Sequence, residues 1–81
     1  MTKSLRTEGH TALTQALVAA RKASGLTQQD VAEQLGRSQS FVAKIELGER
    51  RLEVVELVEI AHILGVPTAR LIAPVEKALG L

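Results

Sequence analysis

The sequence contains no cysteine, tryptophan or tyrosine, a single phenylalanine and two prolines in 81 residues. Without cysteine there is no disulfide and no thiolate ligand for a structural metal, and nothing implies an oxidising compartment. With Phe41 as the one aromatic, the chain lacks the row of stacking platforms on which single-stranded nucleic acid lies. Charge of one sign is lacking as well. Ten Lys plus Arg against nine Asp plus Glu leave a formal net charge of +1, so any case for a polyanionic partner rests on where the charges sit. No stretch approaches the roughly 18 uncharged apolar residues of a membrane span. The opening residues 1–10 carry no apolar core of a leader peptide, and a soluble, cytoplasmic protein is expected.

What the chain has in abundance is aliphatic and straight-chain helix-forming residues. Hydrophobic residues make up 46% of it, and Ala, Leu, Gln, Glu, Lys and Arg fill the stretches between glycines. Apolar positions recur at spacings of three and four rather than two, the period of a helix with one buried face. An all-α chain forming one small domain is expected. At this length only about 60% of the unfolded surface is buried, so the helices need a compact common core or a partner subunit. Gly25, Gly36, Gly48 and Gly65 fall just past the ends of successive candidate helices, where a left-handed residue lets the last carbonyls be satisfied.

The spacing predicts a first helix from residue 11 or 12 to residue 23, with Leu13, Leu17, Ala20 and Ser24 on one face and Gln15 and Lys22 pointing elsewhere. Thr27-Gln28-Gln29-Asp30 has the spacing of a capping box and opens a second helix that stops at Gly36. Ser38 can cap a third helix over 39–47, with Val42 and Ile45 turned inward. The polar turn Gly48-Glu49-Arg50-Arg51 leads to a fourth helix over 52–64, whose Glu53, Glu56 and Glu59 are expected on the solvent side. Pro67 bars continuation, a fifth short helix covers 68–72, and Pro74 interrupts again to open a last segment over 75–79. The expected division is a flexible arm over 1–10, a domain over 11–73 and a C-terminal segment over 74–81.

Two helices of about eight residues joined by so short a turn cannot lie antiparallel; they cross steeply, and the second is left standing out in a shape that fits a major groove. The run Gly25-Leu26-Thr27-Gln28-Gln29-Asp30-Val31-Ala32-Glu33-Gln34-Leu35-Gly36, continued by Arg37-Ser38-Gln39-Ser40-Phe41-Val42-Ala43-Lys44-Ile45-Glu46-Leu47-Gly48-Glu49-Arg50 and later by Ile60-Ala61-His62-Ile63-Leu64-Gly65-Val66, resembles a Cro/repressor-type (XRE-like) helix-turn-helix. The match covers about residues 17–66, over half of the chain. The resemblance implies a compact, all-α, five-helix lambda-repressor-like domain with the motif formed by helices 2 and 3. It also implies sequence-specific binding of double-stranded DNA by a small dimeric transcriptional regulator, a repressor that occludes a promoter. The pattern has physical reasons: Ala32 must be small where the two helices approach, Gly36 supplies positive φ, and Val31, Leu35, Val42 and Ile45 form the shared apolar seam.

With Val42 and Ile45 inward, Gln39, Ser40, Ala43 and Lys44 fall on the opposite face of the third helix and are the candidate base readers. Gln39 suits a bidentate pair with adenine, Lys44 suits guanine O6 and N7 or a phosphate, Ser40 suits either kind of partner, and Ala43 can touch a thymine methyl. A solvated polar face on any helix looks similar, so the resemblance tips these residues toward base reading. Gln28, at the start of the second helix where free amides and the dipole favour an anion, is a candidate phosphate ligand; in the resembling repressors this position grips a phosphate. Arg37, Ser38, Arg50 and Arg51 are further phosphate candidates, against the plainer reading that Arg50 and Arg51 solubilise a turn or pair with Glu53. Charge is segregated: four basic residues lie between positions 37 and 51 against Glu46 and Glu49, while 52–64 hold three acids and no Lys or Arg. The resemblance further implies an ion pair between Arg21 and Glu46 that ties the first helix to the third. The competing reading leaves both exposed.

Phe41 and Leu47 depart from the family pattern, which more often places a smaller residue and a polar one there. Phe41 is expected to pack against the fourth helix or the Arg50 turn rather than reach a thymine methyl. No enzyme is indicated: His10 and His62 are far apart, and no HExxH, phosphate-loop or dinucleotide-binding glycine pattern occurs. Neither a metal nor a cofactor is required. Leu71, Ile72, Val75, Leu79 and Leu81 exceed what a small domain must bury and mark an interface, most economically with a second copy. For such a pair the family resemblance implies half-sites about 34 Å apart. The alternative is an antitoxin-like or regulatory interaction module whose C-terminal segment binds a protein partner.

Overall fold

The computed structural model describes residues 7–81, which form five α-helices and, among the described residues, no strand: α1 (Glu8–Ser24), α2 (Gln28–Leu35), α3 (Gln39–Glu46), α4 (Val54–Leu64) and α5 (Thr68–Ala78). Thr7 caps α1, its Oγ1 accepting from the His10 amide at 3.1 Å, so the helix begins ahead of the residue 11 or 12 that apolar spacing suggests. Residues 7–10 therefore belong to the helix and its cap, and the rest of the expected arm lies outside the described residues. Gly9 is buried, and a Cβ added there would come within 3.2 Å of Leu79 Cδ2. The start of α1 is thus the floor on which the end of α5 rests.

The capping box at α2 is formed in both directions: Asp30 N donates to Thr27 Oγ1 at 3.0 Å and Thr27 N donates to Asp30 Oδ2 at 2.9 Å. The bond from the Thr27 amide leads the causes that hold the exposed Asp30 carboxyl below its ordinary pKa. Gly36 closes α2 with φ 73°, and the following Arg37 amide reaches back to the Ala32 carbonyl at 3.0 Å. Only glycine takes this left-handed turn without strain, and it lets Ser38 begin capping α3 two residues later, Oγ accepting from Phe41 N at 3.2 Å.

The core gathers Leu17 of α1, Val31 and Ala32 of α2, Val42 and Ile45 of α3, Leu57, Ile60, Ala61 and Leu64 of α4, and Leu71 of α5. Ala32 has no exposed surface at all, as expected where two helices touch.

Three expectations are corrected here. Pro74 lies inside α5 and does not open a separate segment. The proline removes a bond to the Arg70 carbonyl, but both residues are on the exposed side, where water can satisfy that oxygen, while Leu71 and its neighbours hold the helix on α1. Leu71 is 1% exposed and belongs to the core, so it is unavailable to a second copy; Ile72 and Val75 are half-buried, and the exposed apolar residues of this end are Leu79 and Leu81. Glu56, expected on the wet side of the fourth helix, is buried, whereas Glu53 and Glu59 are exposed. The apolar residues left outside on α4 are Val54, Val55 and Val58.

Candidate nucleic-acid interface

The α2–α3 seam fixes how α3 is rotated about its axis: Val31, Val42 and Ile45 are each 4% exposed or less, with Leu35 half-buried beside them. The rest is helical geometry. Gln39, Ser40 and Lys44 point to solvent, Ala43 is half-covered between them, and these four residues share one stripe of α3.

A chain of polar contacts runs beneath that stripe. Arg21 Nε donates to Glu46 Oε2 at 2.6 Å, its Nη2 donates to Oε1 at 3.1 Å, and its Nη1 donates to the Leu26 carbonyl at 2.9 Å. The side chains of the pair are 14% and 9% exposed, so α1 is tied to the end of α3 by a bidentate contact that water barely reaches. Hydrogen bonding to Glu46 raises Arg21 above its ordinary pKa. Gln28 Nε2 donates to Glu46 Oε1 at 2.8 Å, and Gln28 Oε1 accepts from Gln39 Nε2 at 2.7 Å.

The direction of this relay is forced. An ionised carboxylate can only accept, so Gln28 must turn its NH2 toward Glu46, leaving its carbonyl for Gln39, which must answer with its own NH2. Gln39 retains a free carbonyl and one N–H on the same amide, the acceptor and donor that match adenine N6 and N7. The Gln28 side chain is engaged with Glu46 and Gln39 rather than standing free, and keeps one N–H beside the first amides of α2.

A second cluster flanks α3. Arg50 Nη1 donates to Glu56 Oε1 at 3.0 Å and to the Arg51 carbonyl at 2.7 Å, and its Nη2 donates to Glu56 Oε2 at 3.3 Å. Arg37 Nη2 reaches the same Oε2 at 3.4 Å, and the Glu53 amide donates to Oε1 at 3.0 Å. These bonds, that of Arg50 foremost, hold the Glu56 carboxyl below the usual carboxylate range. Phe41 packs toward this cluster, with the guanidinium carbons of Arg37 and Arg50 lying over its ring at 4.2 and 4.4 Å from the centroid. Arg50 therefore pairs with Glu56 and not with Glu53. Arg51 is exposed, and Ser38 spends its oxygen on capping α3 while its hydroxyl proton remains to donate.

Sequence patterning places Glu56 on the solvent side and misses this cluster. A signal existed: Glu53 and Glu56 stand at the spacing of an N-cap residue and its third helical residue, which turns the latter back toward the helix start and the Arg50 turn. No group of three or more His, Cys, Asp or Glu side chains among the described residues is arranged to hold a metal ion. No helix among them is long and apolar enough to cross a membrane.

Residues 17–71 match the helix-turn-helix family. Over 57 residues the chain is 37% identical to an uncharacterised HTH-type transcriptional regulator, y4dJ, of Sinorhizobium fredii, an alignment covering 70% of this chain and 74% of that protein. Among solved structures, an XRE-family like protein from Pseudomonas syringae pv. tomato superposes with a TM-score of 0.79 at 40% identity, over 85% of this chain and 84% of the other. The clp gene regulator ClgR from C. glutamicum shares the fold, with a TM-score of 0.78 at 24% identity over 86% and 90% of the two chains. An aliphatic seam that turns a polar stripe outward, in a chain matched over most of its helices by such relatives, places it in the XRE-type helix-turn-helix family of transcriptional regulators, which are not enzymes.

Proposed function

We propose that this protein binds double-stranded DNA sequence-specifically by laying α3 in the major groove, and that it acts as a small dimeric regulator, a repressor that occludes a promoter. The observation that carries the reading is the relay from Glu46 through Gln28 to Gln39, which orients a base-reading amide before DNA arrives. Preorganisation of this kind lowers the cost of ordering the side chain on binding. Ser40, Ala43 and Lys44 complete the base-reading stripe. Gln28, Arg37, Ser38, Arg50 and Arg51 line its edges as phosphate ligands.

The dimer reading now rests on Ile72, Val75 and Leu79. With Leu71 in the core, the apolar surface that also suggested an interaction module is smaller.

Selection of bound sequences from a random duplex pool tests the proposal, with a two-fold symmetric motif as the expected outcome. On the selected duplex, Gln39→Ala weakens binding by roughly 1 to 3 kcal/mol while leaving affinity for random duplex nearly unchanged. Equal losses on both duplexes would remove Gln39 from base reading, and an unenriched pool would remove sequence-specific binding altogether.

A further inference from the structure

Phe41, the only Phe, Tyr or Trp of the chain, is half-buried against the edge of the core and also carries two guanidinium groups over its ring. Arg37 precedes α3 and Arg50 follows it, so without a device between them two like charges would repel and each long side chain would sample many rotamers. The device is visible. One carboxylate, Glu56, receives both cations, and one ring lies under both. Two positive charges against one negative leave the cluster with a surplus of +1, and that surplus is accessible: the Arg37 side chain is 48% exposed and that of Arg50 35%, over a Glu56 side chain exposed only 10%.

The two arginines are not equivalent. Arg50 spends both terminal nitrogens on Glu56 and the Arg51 carbonyl. Arg37 makes one long contact at 3.4 Å, so most of its five N–H groups are uncommitted while the ring and the carboxylate still hold the group in place.

We infer that Phe41 and Glu56 are positioning residues that hold Arg37, braced by Arg50, as a preformed phosphate clamp at the edge of the recognition helix. This rests on the DNA-binding reading above and adds to it a role for the chain's one Phe, Tyr or Trp. A guanidinium already parked over a ring loses less freedom on meeting a phosphate than one moving freely in water, and its planar fork suits bidentate contact.

The test titrates a random-sequence duplex with the full chain over a series of salt concentrations, comparing wild type, Phe41→Leu, Phe41→Trp, Arg37→Gln and the double variant Phe41→Leu with Arg37→Gln. Helix content by circular dichroism is followed on each. Arg37→Gln is expected to weaken binding and flatten the salt slope by about one unit. Phe41→Leu weakens binding by roughly two- to fivefold and Phe41→Trp restores it, since tryptophan offers a cation an even better face. In the double variant the Phe41→Leu loss is expected to shrink toward the small part that Arg50 carries, because the main group it positions is gone. The inference is overturned if Phe41→Leu matches wild type in affinity and slope, or if the two single losses multiply in full. Should Phe41→Leu unfold, Arg37→Lys carries the test: it keeps the charge but loses the plane, so lower affinity at an unchanged slope supports the clamp and wild-type affinity overturns it. A wild-type chain with no salt-dependent affinity for duplex would defeat the DNA-binding reading itself, a result distinct from an inert Phe41→Leu.

Discussion

Glu56 shows how a single side chain can serve a helix start and a charge cluster together. Its carboxylate accepts from the Glu53 amide at the head of α4 and from Arg50 and Arg37, and the bonding, led by that of Arg50, favours its ionised form in the folded chain. In the unfolded chain those partners are gone and the group titrates in the ordinary carboxylate range. A lowered folded pKa means that this contribution is fully present above the unfolded value and is lost as pH falls through the folded one. Glu56→Gln keeps the shape and removes the charge. It is expected to cost on the order of 1 kcal/mol at neutral pH, since the arginines remain partly in water, and to cost progressively less as pH drops below about 4. Urea unfolding curves at neutral and acid pH measure both. A penalty of the same size at every pH would assign Glu56 a packing role without electrostatic content. The Asp30 carboxyl, lowered by its bond from Thr27, adds an acid-side slope of the same sign that Glu56→Gln leaves in place.

At the scale of the element, α5 is the helix that sequence rules would cut in two. An interior proline costs a helix about 3 kcal/mol relative to alanine, and restricting the unfolded chain returns about 1 of that. Pro74→Ala is therefore expected to stabilise the protein by about 1–2 kcal/mol, raising the melting temperature by roughly 5–10 °C in a domain this small. A fall in melting temperature would instead mean that the proline sets the path on which α5 meets α1. Periodicity and caps made the middle of the chain legible: the Thr27 and Asp30 box, the glycine at the end of α2, and a seam residue at each helical turn were all readable because each is decided within a few neighbouring positions. Pro74 escapes such rules because its effect is local while Leu71 is held by packing against the rest of the core. Glu56 escapes them for the same reason: its i, i+3 spacing with Glu53 and Glu59 is that of a solvent-exposed row, and Arg37 and Arg50 come from outside the helix. The early start of α1 hid behind Gly9 and His10, weak helix formers, of which Gly9 is matched to a leucine 70 positions away. In the site, which face of α3 is outward followed from Val42 and Ile45, but the donor order from Glu46 to Gln39 needed the spatial meeting of α2 and α3.

For the whole molecule, a net charge of +1 leaves little long-range pull on a polyanion, so binding has to be driven by the local excess around α3. One copy spans 33 × 26 × 20 Å, and α3, at eight residues, is about 12 Å long, enough for one stretch of major groove. A second half-site a helical turn away needs a second copy, and the salt dependence of binding counts the copies. On the proposed reading each brings Arg37, Arg50 and Arg51 to phosphates while Glu56 offsets one of these charges, which would give two to three effective contacts. The slope of log K against log salt is then roughly −2 to −3 for a single bound copy and roughly −4 to −5 for a pair. Sedimentation of the same complex gives the copy number independently. A pair with the steep slope supports both the dimer and the arginine edges; a pair with the shallow slope takes the arginines off the phosphates. A single copy with the shallow slope leaves α3 reading one half-site alone, and Ile72, Val75 and Leu79 then lose their assignment as a contact between copies.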